Sequence, residues 1–157
     1  SVYGATFRKL GDRRNIKGSI AYTSAEKSTQ DICDVEDLAT AMIRFDNQAV
    51  LSVEASFSLN IKNDKGTIEL FGTKAGAKLD PELELYSELN DYMTDIRLAA
   101  PTALDFNGLF ENEINHFVDC ILEGKTCISP AGDGVDMMKI LDAIYESART
   151  GHEVILD

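Results

Sequence analysis

Apolar and polar residues alternate with a period of two through most of the chain up to Leu98, and with a period near 3.6 beyond Asp105, so strands come first and helices last. Residues 1–7 read as a short strand. Ala39, Ala41, Ile43 and Phe45 then alternate with Thr40, Met42 and Arg44 up to Asp46-Asn47-Gln48, which predicts a strand entering a hairpin. Its partner puts Leu51, Val53, Ala55, Phe57 and Leu59 on one face and Ser52, Glu54, Ser56 and Ser58 on the other. A further strand spans 67–71. The segment Gly72-Thr73-Lys74-Ala75-Gly76 reads as a tight turn whose two glycines supply positive backbone angles, with 77–79 running back. After Pro81, Leu83, Leu85 and Leu89 alternate with Glu82, Glu84 and Glu88, and Asn90-Asp91 turns the chain into a strand over 92–98.

Phe110, Ile114, Phe117, Val118, Ile121 and Leu122 recur at three and four residues and predict one amphipathic helix, with Asp105 or Asn107 as its cap and Gly124 as its end. A second runs from about Ser129 or Asp133 to Thr150, with Met138, Leu141, Ile144, Tyr145 and Ala148 inward and Gly151 as the stop. Residues 154–156 complete the pattern as a short strand, and 8–34 form a long polar loop with room for a short helix. Strands followed by two helices predict an α+β fold: a largely antiparallel open β-sheet with two C-terminal helices packed on one face. The uncovered face should find a partner, which predicts a homo-oligomer joined sheet to sheet.

The chain has 157 residues, 44% of them hydrophobic, enough for a single domain with one core. Its 27 acids against 15 bases give a net charge of -12, which repels nucleic acid and anionic lipid. The three cysteines, Cys33, Cys120 and Cys127, follow no paired spacing, and no apolar run is long enough to span a bilayer. A reducing, cytoplasmic setting is expected. No secretory leader is read at the amino terminus, and the lack of an initiator methionine suggests a fragment of a longer protein.

Candidate chemistry is sparse. Gly132-Asp133-Gly134 follows a loop and lacks a third glycine, so it reads as a helix start rather than a phosphate cradle. His116 is a candidate for proton transfer, since a histidine's unperturbed pKa lies near neutrality, or else is an ordinary boundary residue. Glu113 and His116 have Glu-x-x-His spacing, but the motif occurs once where a carboxylate-bridged metal site needs it twice, so no metal is expected. Asp31, Asp34, Glu36 and Asp37 could gather a cation or simply solvate a loop, and they depart from the calcium-loop pattern. Cys120 reads as a small core residue, and His152 as a charge at a helix end. The loop 60–66 gathers amide, ammonium and carboxylate groups suited to hydroxyl-rich ligands, or is a plain polar turn.

Taken together, several segments resemble the C-terminal domain of the Gfo/Idh/MocA oxidoreductases, the glucose-fructose oxidoreductase and inositol dehydrogenase family. They are Val35-Glu36-Asp37-Leu38-Ala39-Thr40-Ala41, Ile43-Arg44-Phe45-Asp46-Asn47, Val53-Glu54-Ala55-Ser56-Phe57, Glu69-Leu70-Phe71-Gly72-Thr73-Lys74-Ala75-Gly76-Ala77 and Leu141-Asp142-Ala143-Ile144-Tyr145-Glu146-Ser147-Ala148-Arg149-Thr150-Gly151. Gln48 departs from the family's frequent glycine, and Phe57 from its frequent tryptophan.

The resemblance implies a glyceraldehyde-3-phosphate-dehydrogenase-like C-terminal domain over 1–157, serving substrate binding and oligomerisation, with the N-terminal Rossmann domain absent from this sequence. It implies an NAD- or NADP-dependent parent acting on a sugar, inositol or similar polyol. The parent's Glu-Lys-Pro lysine and its Asp/His helix are also absent from this sequence, so no catalytic, cofactor-binding or metal residue is expected here and the chain alone should be inactive. By position, Phe57, Asn60, Lys62 and Asn63 are implied to line the substrate wall. Two other readings stand beside this one: a self-standing assembly or ligand-binding module, and a hydrolase using paired carboxylates.

Overall fold

The computed structural model describes residues 1–10, 34–63, 65–80, 82–100, 102 and 106–156. The expected loop over 8–34 lies for its greater part outside the described residues, as do Pro81 and the candidate cap Asp105. Among the described residues seven strands precede two helices, which is the expected α+β order: β1 (Val2–Phe7), β2 (Leu38–Arg44), β3 (Val50–Ser56), β4 (Ile68–Phe71), β5 (Ala75–Leu79), β6 (Leu83–Leu89), β7 (Tyr92–Ile96), α1 (Phe106–Glu123) and α2 (Ala131–Thr150). Every strand pairing among the described residues is antiparallel, and the strands form a three-stranded sheet, β1-β2-β3, and a four-stranded sheet, β4-β5-β6-β7. The chain correspondingly divides into two compact units, residues 1–64 with 129–157, and residues 65–128.

In the first unit the period-two pattern sets the register. Val2, Ile43 and Leu51 lie side by side across the three strands, as do Gly4, Ala41 and Val53, so the alternating apolar residues share one face. Helix α2 lies on that face at β1, and Val2, Ala41, Ile43, Ala143 and Ile144 form the buried core. Close approach is what permits this. A Cβ on Gly4 would lie 2.9 Å from Ile144 Cγ2 and 3.2 Å from the Ile144 carbonyl oxygen, so only glycine lets strand and helix meet.

The inward stripe of α2 is buried Ala143, Ile144 and Ser147 with partly buried Ile140, turned from the expected one. Ile144 is inward as expected, whereas Met138, Leu141 and Tyr145 are exposed. Small Ala143 and Ser147 fit the narrow gap at Gly4, and bulkier residues would hold the helix off. Ser147 is fully buried, and its Oγ accepts the Gly4 N–H at 2.9 Å. That bond, with the reciprocal pair between Val2 and Val154 at 2.8 Å each, occupies donors and acceptors that edge strand β1 would otherwise leave open. The expected strand over 154–156 is thus a single bridge.

The turns are read directly from backbone angles. Asn90 and Asp91 both have positive φ, 52° and 65°, the two-residue hairpin geometry that matches strand twist. Gln48 adopts φ 69° in the β2–β3 turn, while Gly124 and Gly151 end their helices at φ 67° and 73°. Gly72 and Gly76, expected to supply positive angles, are not among the positive-φ residues; Gly72 is needed for space, since a Cβ there would lie 2.7 Å from the Ala75 carbonyl oxygen.

The second unit has no buried side chain among the described residues, and no helix-on-sheet packing there is comparable to that of α2 on β1. Phe110, Ile114, Phe117, Ile121 and Leu122 of α1 are exposed rather than inward. On the sheet, Ile68, Leu70, Leu89, Tyr92 and Ile96 are exposed too. No described helix is long and apolar enough to cross a membrane.

Candidate functional site

The loop leaving β3 is anchored before it is exposed. Asp37 is 3% exposed, and its carboxylate accepts the backbone N–H groups of Lys9, at 2.5 Å, and of Leu10. Its own N–H donates to the Phe7 carbonyl at 2.9 Å, and its carbonyl accepts the Ser56 hydroxyl at 2.5 Å. Ser56 Oγ in turn accepts the Ser58 N–H at 3.1 Å, and the Ser58 hydroxyl reaches the Leu10 carbonyl at 3.5 Å. A buried carboxylate and two serines therefore tie the chain after β1 to the chain before β2 and after β3. Burying a charge is tolerated here because several hydrogen bonds surround it.

Immediately beyond this anchor Phe57, Asn60, Lys62 and Asn63 are all exposed, at the end of β3 that lies beside the start of β2. Asp64, the last acid in that loop, lies outside the described residues. The segment offers an aromatic face, two amides and an ammonium group above a pinned base. That is chemistry suited to hydroxyl groups.

Among the described residues, the acidic cluster does not converge on a common point. Asp37 faces backbone amides, Glu36 accepts the Tyr145 hydroxyl at 2.8 Å, and Asp31 lies outside the described residues. The Glu36 hydrogen bond holds the Tyr145 phenol above its ordinary pKa, with burial and the Glu36 charge adding to the effect. Gly132, Asp133 and Gly134 sit in the first turn of α2, where Pro130 accepts the Asp133 N–H at 3.0 Å and a Cβ on either glycine would meet open space. This is a helix start, as expected. His152 is exposed beside the α2 end, where its N–H donates to Thr150 Oγ1 at 3.3 Å.

Around α1 the sequence pattern hid a gathering. His116 and Cys120 are one turn apart, with Cys120 Sγ 3.5 Å from His116 Nε2, and the Ile128 N–H donates to that same nitrogen at 3.1 Å. The left-handed Gly124 turns the chain so that Cys127 joins them, and one donor atom from each of the three side chains lies within 4.8 Å of the others. Burial pushes the Cys120 thiol above its ordinary pKa, Cys127 adds to this, and Lys125 opposes it. An isolated nucleophile would need the opposite shift. Cys127 lies in no periodic segment, so only the helix-ending glycine hinted at its return.

A second feature absent from the sequence reading is an open concavity of about 440 Å³ on the charged face of the β4–β7 sheet, lined by Glu69, Phe71, Lys78, Tyr86, Glu88 and Met93. Tyr86 donates its hydroxyl hydrogen to Glu84, which together with desolvation raises the phenol's pKa.

Comparison with known proteins assigns the architecture. A model described as the C-terminal alpha/beta domain of an oxidoreductase family (GFO_IDH_MocA_C) matches residues 10–156. The D-glucoside 3-dehydrogenase of Escherichia coli K12 is 31% identical over 160 residues, taking in 99% of this chain and 42% of the relative. The D-xylose 1-dehydrogenase (NADP(+)) 2 of Haloferax volcanii is 29% identical over 131 residues, taking in 80% of this chain and 38% of the relative. The chain therefore spans about two-fifths of the length of these curated relatives. Among solved structures, a levoglucosan dehydrogenase in complex with NADH superposes with TM-score 0.72 at 24% identity, covering 94% of this chain and 42% of that one. The aldose-aldose oxidoreductase of Caulobacter crescentus, complexed with glycerol, gives TM-score 0.64 at 21% identity, covering 99% and 40%. The structural likenesses show a shared fold.

Proposed function

Because the chain belongs to the Gfo/Idh/MocA oxidoreductases and corresponds to their C-terminal alpha/beta domain, we propose that residues 1–157 serve as the substrate-binding and oligomerisation domain of a cytoplasmic NAD- or NADP-dependent dehydrogenase acting on a sugar, inositol or related polyol. The two curated relatives are sugar dehydrogenases by name, and one is named for NADP. In this reading hydride transfer and nucleotide binding belong to a Rossmann domain outside this sequence, and the chain by itself is inactive.

The observation that carries the reading is the anchored loop after β3, which presents Phe57, Asn60, Lys62 and Asn63 on a base fixed by Asp37, Ser56 and Ser58. Phe57 stacks on a sugar face, Lys62 donates to hydroxyls, and Asn60 and Asn63 both donate and accept. Such groups hold the substrate in register with a nicotinamide supplied by the other domain. The exposed apolar residues Ile68, Leu70 and Ile96 support the reading of the β4–β7 sheet as the subunit contact.

The test is kinetic. In a protein that carries both domains, Lys62→Ala and Asn63→Ala should raise the KM for the sugar while leaving that for the nucleotide unchanged. An unchanged sugar KM removes both residues from the wall. Calorimetry of this chain alone should give no micromolar binding of NAD or NADP, and sedimentation at micromolar concentration should show more than a monomer.

A further inference from the structure

We propose that His116, Cys120 and Cys127 bind one thiophilic divalent cation of the zinc class, fastening the end of α1 to the segment that follows it. Soft thiolates with an imidazole select such a cation over magnesium or calcium, which prefer oxygen. The geometry fits without rearrangement of the helix. With Zn–N near 2.0–2.1 Å and Zn–S near 2.3 Å, tetrahedral coordination separates nitrogen from sulfur by about 3.5 Å. The distance between His116 Nε2 and Cys120 Sγ is 3.5 Å, and one imidazole nitrogen of His116 and the two sulfurs all lie within 4.8 Å of one another.

The chain brings these donors together in two steps. Spacing i to i+4 places His116 and Cys120 on one side of α1, and Gly124 at φ 67° returns the chain so that Cys127 closes the third position. The neighbouring acids Asp119 and Glu123 lie outside the cluster and engage Lys125, at 2.8 and 2.9 Å. On binding, each thiol loses one proton to solvent and the neutral imidazole gives its Nε2 lone pair, so the two thiolate charges balance the cation. The Ile128 N–H gives up that lone pair, and water replaces it because Ile128 is exposed. Three protein donors leave a fourth position for water.

The experiment is a cobalt titration of the reduced chain followed by zinc competition. One equivalent of Co²⁺ should produce a thiolate-to-cobalt charge-transfer band that zinc abolishes. Cys120→Ser and Cys127→Ser should each lose the band, His116→Gln should weaken binding, and Cys33→Ser should leave it unchanged. X-ray absorption of the zinc-loaded wild-type chain, which depends on no variant folding, should show sulfur and nitrogen scatterers in a two-to-one ratio. Absence of the band in the reduced chain overturns the proposal. So does a band that survives Cys127→Ser, a band lost with Cys33→Ser, or an all-oxygen zinc shell.

Discussion

The two units use the same vocabulary of alternating strands and an amphipathic helix, yet among the described residues only the first closes a core. In the first, Gly4 and Ser147 let α2 settle against β1, and Val2, Ala41, Ile43, Ala143 and Ile144 leave water. In the second, the periodic apolar residues of α1 and the β4–β7 sheet keep their solvent exposure, with Ile114 61% exposed against 8% for Ile144. Periodicity alone thus marks which side of an element is apolar, and small residues at the contact decide whether that side is used inside its own unit.

The contrast is most directly broken by a matched pair of truncations. Ile144→Ala should lower unfolding free energy by about 2–4 kcal/mol in urea denaturation, while Ile114→Ala should change it by less than about 1 kcal/mol under monomeric conditions. Equal losses would mean that the units are not energetically distinct. Ser147→Ala strands the buried Gly4 N–H and should cost about 1–3 kcal/mol by the same measurement. Replacing Gln48, an L-residue in the left-handed region, by glycine should raise stability by about 0.5–1 kcal/mol and with it the Tm.

The smallest effect is electrostatic. Arg149 holds the Glu146 carboxyl below its ordinary pKa across an exposed pair, with Arg149 Nη2 2.6 Å from Glu146 Oε1. A depressed carboxyl stabilises the fold above its unfolded pKa and loses that contribution as pH falls through the folded value. Stability of the wild type and of Arg149→Ala should therefore converge as pH drops through the carboxylate range, by only a small amount because solvent screens the pair.

Much of the local structure was legible because period two and period 3.6 leave direct marks. The β2–β3 hairpin, the Asn90-Asp91 turn and both helix-ending glycines follow from short-range rules. What escaped depends on contacts distant in the chain. The inward side of α2 is set by Gly4, well over a hundred positions away, and polar Ser147 is buried because a strand edge needs an acceptor. Asp37 likewise looked like one solvated acid among several until Lys9 and Leu10 came to it. The four residues of the post-β3 loop were placed by resemblance, whereas the convergence of His116, Cys120 and Cys127 needed the turn at Gly124.

The bridge between Val2 and Val154 brings two far-apart stretches of sequence to one sheet margin. Polypeptide attached at either end would depart from neighbouring points, so the module could be spliced into a surface loop of a host protein with little distortion of either. The same adjacency suits circular permutation: a short linker across the margin, with new ends opened at the exposed Asp46–Gln48 tip, should retain the β1–α2 core.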